Sequence, residues 1–466
     1  MSFYPEFGKL FDAYLSGVDM SGAQLARRLN VNPATITRWR NGQSRPRTPE
    51  LVVRLADLLG IYGAEQEALI RSAGYSVKVD EPLAEEPASS GERDAADHLT
   101  PESLESPHAW HNFPISYREQ ELSQMANWLQ MGASGIVMGT SGVGISKLLH
   151  FLIHRPEVLP HYLNQVSKVN LESKLKQEHK RQRNYVAVML DFSAMFDPSL
   201  TMLYRMLLHA FFQARVRLGE PARRLITTDY ADVWKRDDLF ELQHALYELI
   251  ARLGLAGTYV VLICDRLDLL AQWQRPDLCQ ALRNLRDVGR HTLSFVAGMR
   301  LAPDELALLD RLGPLRRVLT THMIYLAALN SADTDFIIDT HLGHARSLLS
   351  GAARARIHQL TGGYSSLIKA VCYWWLSEEE PPEEESWGAA LLGQPGLRFR
   401  LEEILSCLNA DERAAMRLLA VDDRPQSQSA VEPSVWQSLI QKGLCIRTQR
   451  HIRLFCTLMA GYLALL

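Results

Sequence analysis

Apolar residues follow two rhythms along this chain, and the changeover marks its parts. Over residues 1–79 the spacing is helical: Leu25, Ala26 and Leu29 share one face, Ile36 and Trp39 stand three apart, and Leu51, Val52, Leu55, Ala56, Leu58 and Leu59 form a further stripe. A tight turn at Asn30-Val31-Asn32 separates the first two stretches. Pro33 suits the first turn of the second helix, and Asn41-Gly42 ends it. Residues 80–107 are acidic, rich in Pro, Ser and Ala, and almost without large apolar side chains. Such a segment cannot bury enough surface to fold and is expected to be a flexible tether. From residue 108 short apolar runs alternate with helical stretches: 135–138, 185–192, 258–265, 293–299 and 322–326. That alternation predicts a five-stranded, mostly parallel sheet covered on both faces. Residues 327–376 are helical only, the acidic stretch 377–394 is expected to be a second linker, and 395–466 forms a last small unit. The expected fold class is thus multidomain: an all-α head (1–79), an α/β core (108–326) with a helical addition, and a C-terminal unit.

Composition changes this picture little. The 466 residues are 47% hydrophobic and 22% charged, as in ordinary globular protein. A formal net charge of -3 gives no global attraction to nucleic acid, so any basic patch is local. The six cysteines are scattered with no CxxC pair, which argues against a zinc site or disulfide framework and for a reducing compartment. The N-terminus lacks a secretion pattern, and no uncharged apolar run approaches the roughly 18 residues a membrane helix needs. A cytoplasmic protein with no membrane partner is expected.

The candidate chemistry begins at GTSGVGISKLL, residues 139–149, directly after the first apolar run. A phosphate loop surrounds an anion with successive backbone N–H groups and a helix mouth, adds a lysine charge, and offers a hydroxyl to magnesium. Gly139, Thr140, Ser141, Gly142, Val143 and Gly144 have the spacing, and Ser146 has the hydroxyl. Ile145 stands where the lysine belongs. Lys147 follows two positions late, about 200° round the helix, and cannot simply substitute. A second sign is YVVLICDRLDLL, residues 259–270. An apolar run ending in Asp265 puts a carboxylate beside the metal; Arg266 stands where many ATPases place a glutamate, and Asp268 is a weaker alternative acid. ATP or ADP with Mg2+ are the expected ligands. Two outcomes stay open: weak or slow use of ATP, or a pseudo-ATPase fold that turns nothing over.

Residues 21–61 resemble the Cro- and lambda-repressor-like (XRE) helix-turn-helix family, through Gln24-Leu25-Ala26, Val31, Ile36-Thr37-Arg38-Trp39, Asn41-Gly42 and the closing Leu-Ala-x-Leu-Leu-Gly. The resemblance implies double-stranded DNA as partner, with Asn32, Ala34, Thr35, Thr37 and Arg38 facing the major groove and Arg38 reading a base. Gln24, Arg40, Gln43, Arg45 and Arg47 would hold phosphates. Residues 108–376 resemble AAA+ and STAND ATPases in several further motifs: Tyr117-Arg118-Glu119 ahead of the loop, Arg300 at a sensor position, Arg316 and Arg317 near an arginine-finger position, and LTGGYSSLIKAV (360–371) as the lid motif. The helical stretch 327–376 would then be the lid, and the chain a homo-oligomer with a protein partner an open matter. The last unit looks like a winged helix, with Arg447, Arg450, His451 and Arg453 making its wing basic. His150 and His154 stand four apart, but without a further ligand they point to packing rather than metal. The basic stretch Lys174 to Arg183 reads as solvated. The leading expectation is a DNA-binding regulator whose degenerate nucleotide core acts as an oligomerisation or signalling switch, in a transcriptional or defence setting. A DNA-stimulated ATPase that assembles on DNA and a nucleotide-free scaffold are the alternatives.

Overall fold

The computed structural model describes residues 4–16, 25–26, 33–46, 51–52, 55–56, 64–73, 107–173, 184–230, 233–378, 382–421, 431–448 and 451–466. The chain divides into two compact units, Met1–Ala96 and Asp97–Leu466. In the first, the helices Pro5–Ser16, Pro33–Arg40 and Ala64–Ser72 enclose a core of Phe7, Phe11, Leu25, Ile36, Trp39, Leu55 and Leu69. Ile36 and Trp39 point inward, as their spacing requires, and the Phe11 ring meets Trp39 edge-on at 6.4 Å. Gly42 takes φ 63° just after the helix Pro33–Arg40, a conformation that favours glycine. A Cβ on Gly8 would stand 2.6 Å from the Gly42 nitrogen, so two bare backbones meet there.

The second unit is built on five parallel strands: β1 (Gly135–Gly139), β2 (Asn184–Asp191), β3 (Thr258–Asp265), β4 (Leu293–Arg300) and β5 (Met323–Tyr325), in the order β2-β3-β4-β1-β5. The residues of β1 and β3 are buried throughout, the mark of a sheet covered on both faces. Period two then sorts side chains between two cores. Val137, Val261, Ile263 and Val296 join one; Ile136, Met138, Val260, Leu262 and Phe295 join the other. The first core runs on without a break into the helices Ser331–Leu342, Gly351–Thr361 and Ser365–Ser377, and from there to Leu458, Met459 and Leu463.

The acidic stretch expected to be a second linker differs in part. Residues 387–392 form a helix, Trp387 is buried with its ring 5.7 Å from that of Trp374, and Leu391 joins the first core. Two apolar anchors in an acidic run suffice to hold it down. Past it, a hairpin of β6 (Cys445–Arg447) and β7 (Ile452–Leu454) follows the helix Pro433–Gln441. Here Glu412 and Lys442 form a buried ion pair at 2.6 Å. Glu412 also accepts from Ser438 Oγ at 2.6 Å and from the Asn409 amide at 3.1 Å. All six cysteines are buried and unbridged, and no helix among the described residues is long and apolar enough to cross a membrane. Of the expected tether 80–107 only Pro107 is described, at the start of the short helix Pro107–Asn112; Lys174 to Arg183 and Arg450 lie outside the described residues.

Candidate functional site

The loop after β1 has the shape its glycines allow. Gly142 takes φ 80° and Gly144 φ 108°, and the helix Ile145–His154 starts directly after. Both glycines stand in the left-handed region, where a side chain would be strained. Above the ends of β1, β3 and β4 opens a cavity of about 920 Å³, lined by Thr140, Gly142, Gly144, Ile145, Ser146, Lys147 and Asp265 among others. This is where parallel α/β sheets hold ligands. Gly139 closes β1, while Ser141 and Val143 belong to the loop but do not line the cavity.

Ser146 and Asp265 come together, although 119 positions separate them in sequence. Burial pushes the Asp265 carboxyl above its usual range; a hydrogen bond from Ser146 and one from the Arg266 amide at 2.8 Å pull against it, and Asp191 on the neighbouring strand pushes the same way as burial. A hydroxyl beside a carboxylate at a phosphate loop is the donor set a magnesium ion takes. Asp268 is spoken for: it pairs with Arg266 at 3.2 Å and accepts from the Arg300 amide at 3.3 Å.

Ile145 is buried against the sheet rather than set in the mouth of the loop. A Cβ on Gly298 would stand 2.7 Å from its Cγ2, and one on Gly139 3.3 Å from its Cδ1. The branch packs on the bare backbone of β1 and β4, which leaves the cavity open but uncharged at that point. Lys147 lines the same cavity. Its amine lies over the Phe113 ring at 5.6 Å, and burial first, then Lys369 and Arg118, push it down to about 8.

The loop is also tied from behind and from the lid. Arg118, almost wholly buried at φ 58°, donates from Nη2 to the Val143 carbonyl at 2.9 Å and from Nη1 to the Ala327 carbonyl and to Glu121 at 3.0 Å. Its amide donates to Asp333 at 3.1 Å. From the lid, the Ser366 amide donates to the Gly142 carbonyl at 3.0 Å, and the Tyr364 and Thr140 hydroxyls share a hydrogen bond. A Cβ on Gly142 would lie 2.2 Å from Ser366 Oγ, so glycine alone fits between loop and lid.

Sequence reasoning passed over several cavity residues. Lys369, His341, Arg400 and Trp110 line it, alongside His150 and His154, which the sequence had singled out. The ring of Trp110 lies 5.4 Å from His154, nearly parallel to it, so the histidine pair packs as expected, but at the cavity wall. Lys369 stands one turn beyond Ser365 in the lid motif, a signal that was available. Arg300 lines the cavity too; Arg316 and Arg317 do not, Arg316 pairing with Asp310 and Arg317 being exposed.

On the head, Arg38 and Thr37 are exposed, and Arg38 bonds Thr35 Oγ1 at 3.3 Å. Arg40 pairs with Asp12, and Arg45 bonds the Ala73 carbonyl and lies 5.1 Å over the Tyr4 ring, so both are engaged within the head. Ala34 is on the helix Pro33–Arg40; Gln24, Asn32 and Arg47 lie outside the described residues.

The two units thus define their classes: a small all-α head, and a P-loop α/β core with a helical lid. Residues 15–69 match the family model of a helix-turn-helix domain, so the chain carries that domain at its N-terminus. No curated protein matches the sequence. Among solved structures, the chain is similar to a Walker-type ATPase of Pyrococcus abyssi at 12% identity, TM-score 0.40, over 74% of this chain and 95% of that one. It is similar to Cdc6p from Pyrobaculum aerophilum at 15% identity, TM-score 0.34, over 78% and 97%. The Aeropyrum pernix ORC1 protein in complex with DNA matches at 14% identity, TM-score 0.33, over 74% and 92%. Likeness this distant carries no functional inference.

Proposed function

We propose that this chain is a DNA-binding regulator whose second unit binds ATP or ADP as a switch for self-association rather than as a fuel. The observation that carries this reading is the contrast at the loop: left-handed glycines, a helix mouth and the Ser146–Asp265 pair are all in place, while the lysine position holds a core isoleucine. Backbone N–H groups from Gly142 to Ser146 would hold phosphates, and Ser146 and Asp265 the magnesium, which when bound neutralises phosphate charge. A missing charged hydrogen bond forfeits roughly 1.5–3 kcal/mol of affinity and weakens charge stabilisation during transfer, which favours binding over turnover. Homo-oligomerisation and a winged-helix role for residues 395–466 belong to the same proposal. Titration of the full chain with fluorescent ATP and magnesium, with and without Asp265→Ala, tests it, alongside mass photometry and phosphate release. Saturable binding that Asp265→Ala weakens, with growth in mass and no phosphate release, is expected; no binding in either protein removes the switch. Phosphate release stimulated by DNA would instead favour an ATPase acting through the exposed Arg317.

The DNA reading rests on the helix-turn-helix match and on Arg38, which is exposed on the helix Pro33–Arg40 without an ion-pair partner among the described residues. Arg38→Ala is expected to weaken preference for a site selected from a random pool by about 1–3 kcal/mol, with general DNA affinity largely kept. Anisotropy against selected and scrambled duplexes reads both. An unchanged preference removes Arg38 from base reading.

A further inference from the structure

Charge around the cavity is lopsided. Lys147, Arg300, Lys369 and Arg400 line it with no ion-pair partner among the described residues, and of the two lining carboxylates Asp268 is already bound to Arg266. Three basic groups reach the cavity from different elements. Lys147 comes from the helix Ile145–His154, His341 from Ser331–Leu342 and Lys369 from Ser365–Ser377, so one loop helix and two lid helices contribute.

His341 and Lys369 both lie against the Tyr373 ring, at 5.7 and 5.5 Å, and burial first, then Lys147 and Lys369, hold the imidazole down to about 3. Its Nδ1 is buried with no partner among the described residues. Among the described residues, the ammonium of Lys369 lies against the Tyr373 ring at 5.5 Å and that of Lys147 against Phe113 at 5.6 Å. Unpaired cations drawn together away from water are unfavourable until an anion joins them. Charge-assisted bonds to phosphate oxygens are about twice as strong as neutral ones.

Ser146 and Asp265 line the same cavity as Lys147, His341 and Lys369. The positive charge missing at Ile145 has therefore not vanished from the cavity; it stands on the lid side.

We propose that Lys147, Lys369 and His341 form an anion subsite that holds the phosphates of a polyphosphate ligand without a divalent cation, and so fastens the lid to the loop helix. This deepens the reading of the cavity as a phosphate-ligand site and rests on it. The ligand chemistry is a linear polyphosphate, whether inorganic or carried on a nucleoside.

Calorimetric titration of the full chain with inorganic tripolyphosphate and with ATP, each in EDTA and in magnesium, tests it. Tripolyphosphate is expected to bind in EDTA. Lys369→Gln should weaken that binding about tenfold or more, and Lys369→Arg should restore it. No binding of either compound in EDTA overturns the subsite. So does binding that needs magnesium, is lost in Asp265→Asn and ignores Lys369→Gln, an outcome that leaves the nucleotide switch standing. Tripolyphosphate bound through Lys369, with ATP excluded in every condition, keeps the subsite and removes the nucleotide.

Discussion

Glu412→Ala is expected to destabilise the C-terminal helices by about 3–5 kcal/mol, because it strands a lysine in the interior. Glu412 and Lys442 are both nearly inaccessible and meet at 2.6 Å. Removing the carboxylate also strips an acceptor from Ser438 and from the Asn409 amide at the start of the helix Ala410–Val421. Lys442 is then left charged without a partner, a far greater cost than a lost surface bridge. Hydrogen exchange over Pro433–Gln441 in the full chain reads the loss. The double variant Glu412→Leu with Lys442→Met should recover most of it, since replacing a buried pair by packed apolar groups is often neutral. A loss below about 1 kcal/mol in the single variant, the range of exposed bridges, would falsify the buried-pair account.

Arg118→Met should cost a similar amount, about 3–5 kcal/mol, and loosen the phosphate loop. The apolar stem is kept, so the loss is that of the guanidinium. That group holds the Val143 carbonyl inside the loop and the Ala327 carbonyl just past β5, and it pairs with Glu121. Each carbonyl left buried without a donor costs about 1–3 kcal/mol. Faster amide exchange in residues 140–146 and a lower unfolding temperature are the expected signs. A loop that exchanges as slowly as before would show that lid contacts alone secure it.

How much of this could be read in advance divides along physical lines. Strands buried on both faces announce themselves as unbroken apolar runs, and the parallel sheet followed from five of them. The loop was legible because its glycines are demanded by local backbone geometry, and Asp265 because it ends such a run. The inward turn of Ile145 was not, since it depends on Gly298 lying bare on a neighbouring strand. Nor was the gathering of Lys147, His341 and Lys369, which needs lid helices folded back over a loop some two hundred residues earlier. The stretch 377–394 misled because acidity dominated its composition, while Trp387 and Leu391 decided where it sits.

The hydrogen bond from the Ser366 amide to the Gly142 carbonyl joins two backbones rather than two side chains. At position 366 only proline removes the donor, while at position 142 any side chain would press on Ser366, so the bond depends on the glycine and not on the serine hydroxyl. A substitution that silences the chemistry of the cavity would still leave the loop joined to the helix Ser365–Ser377 through the main chain.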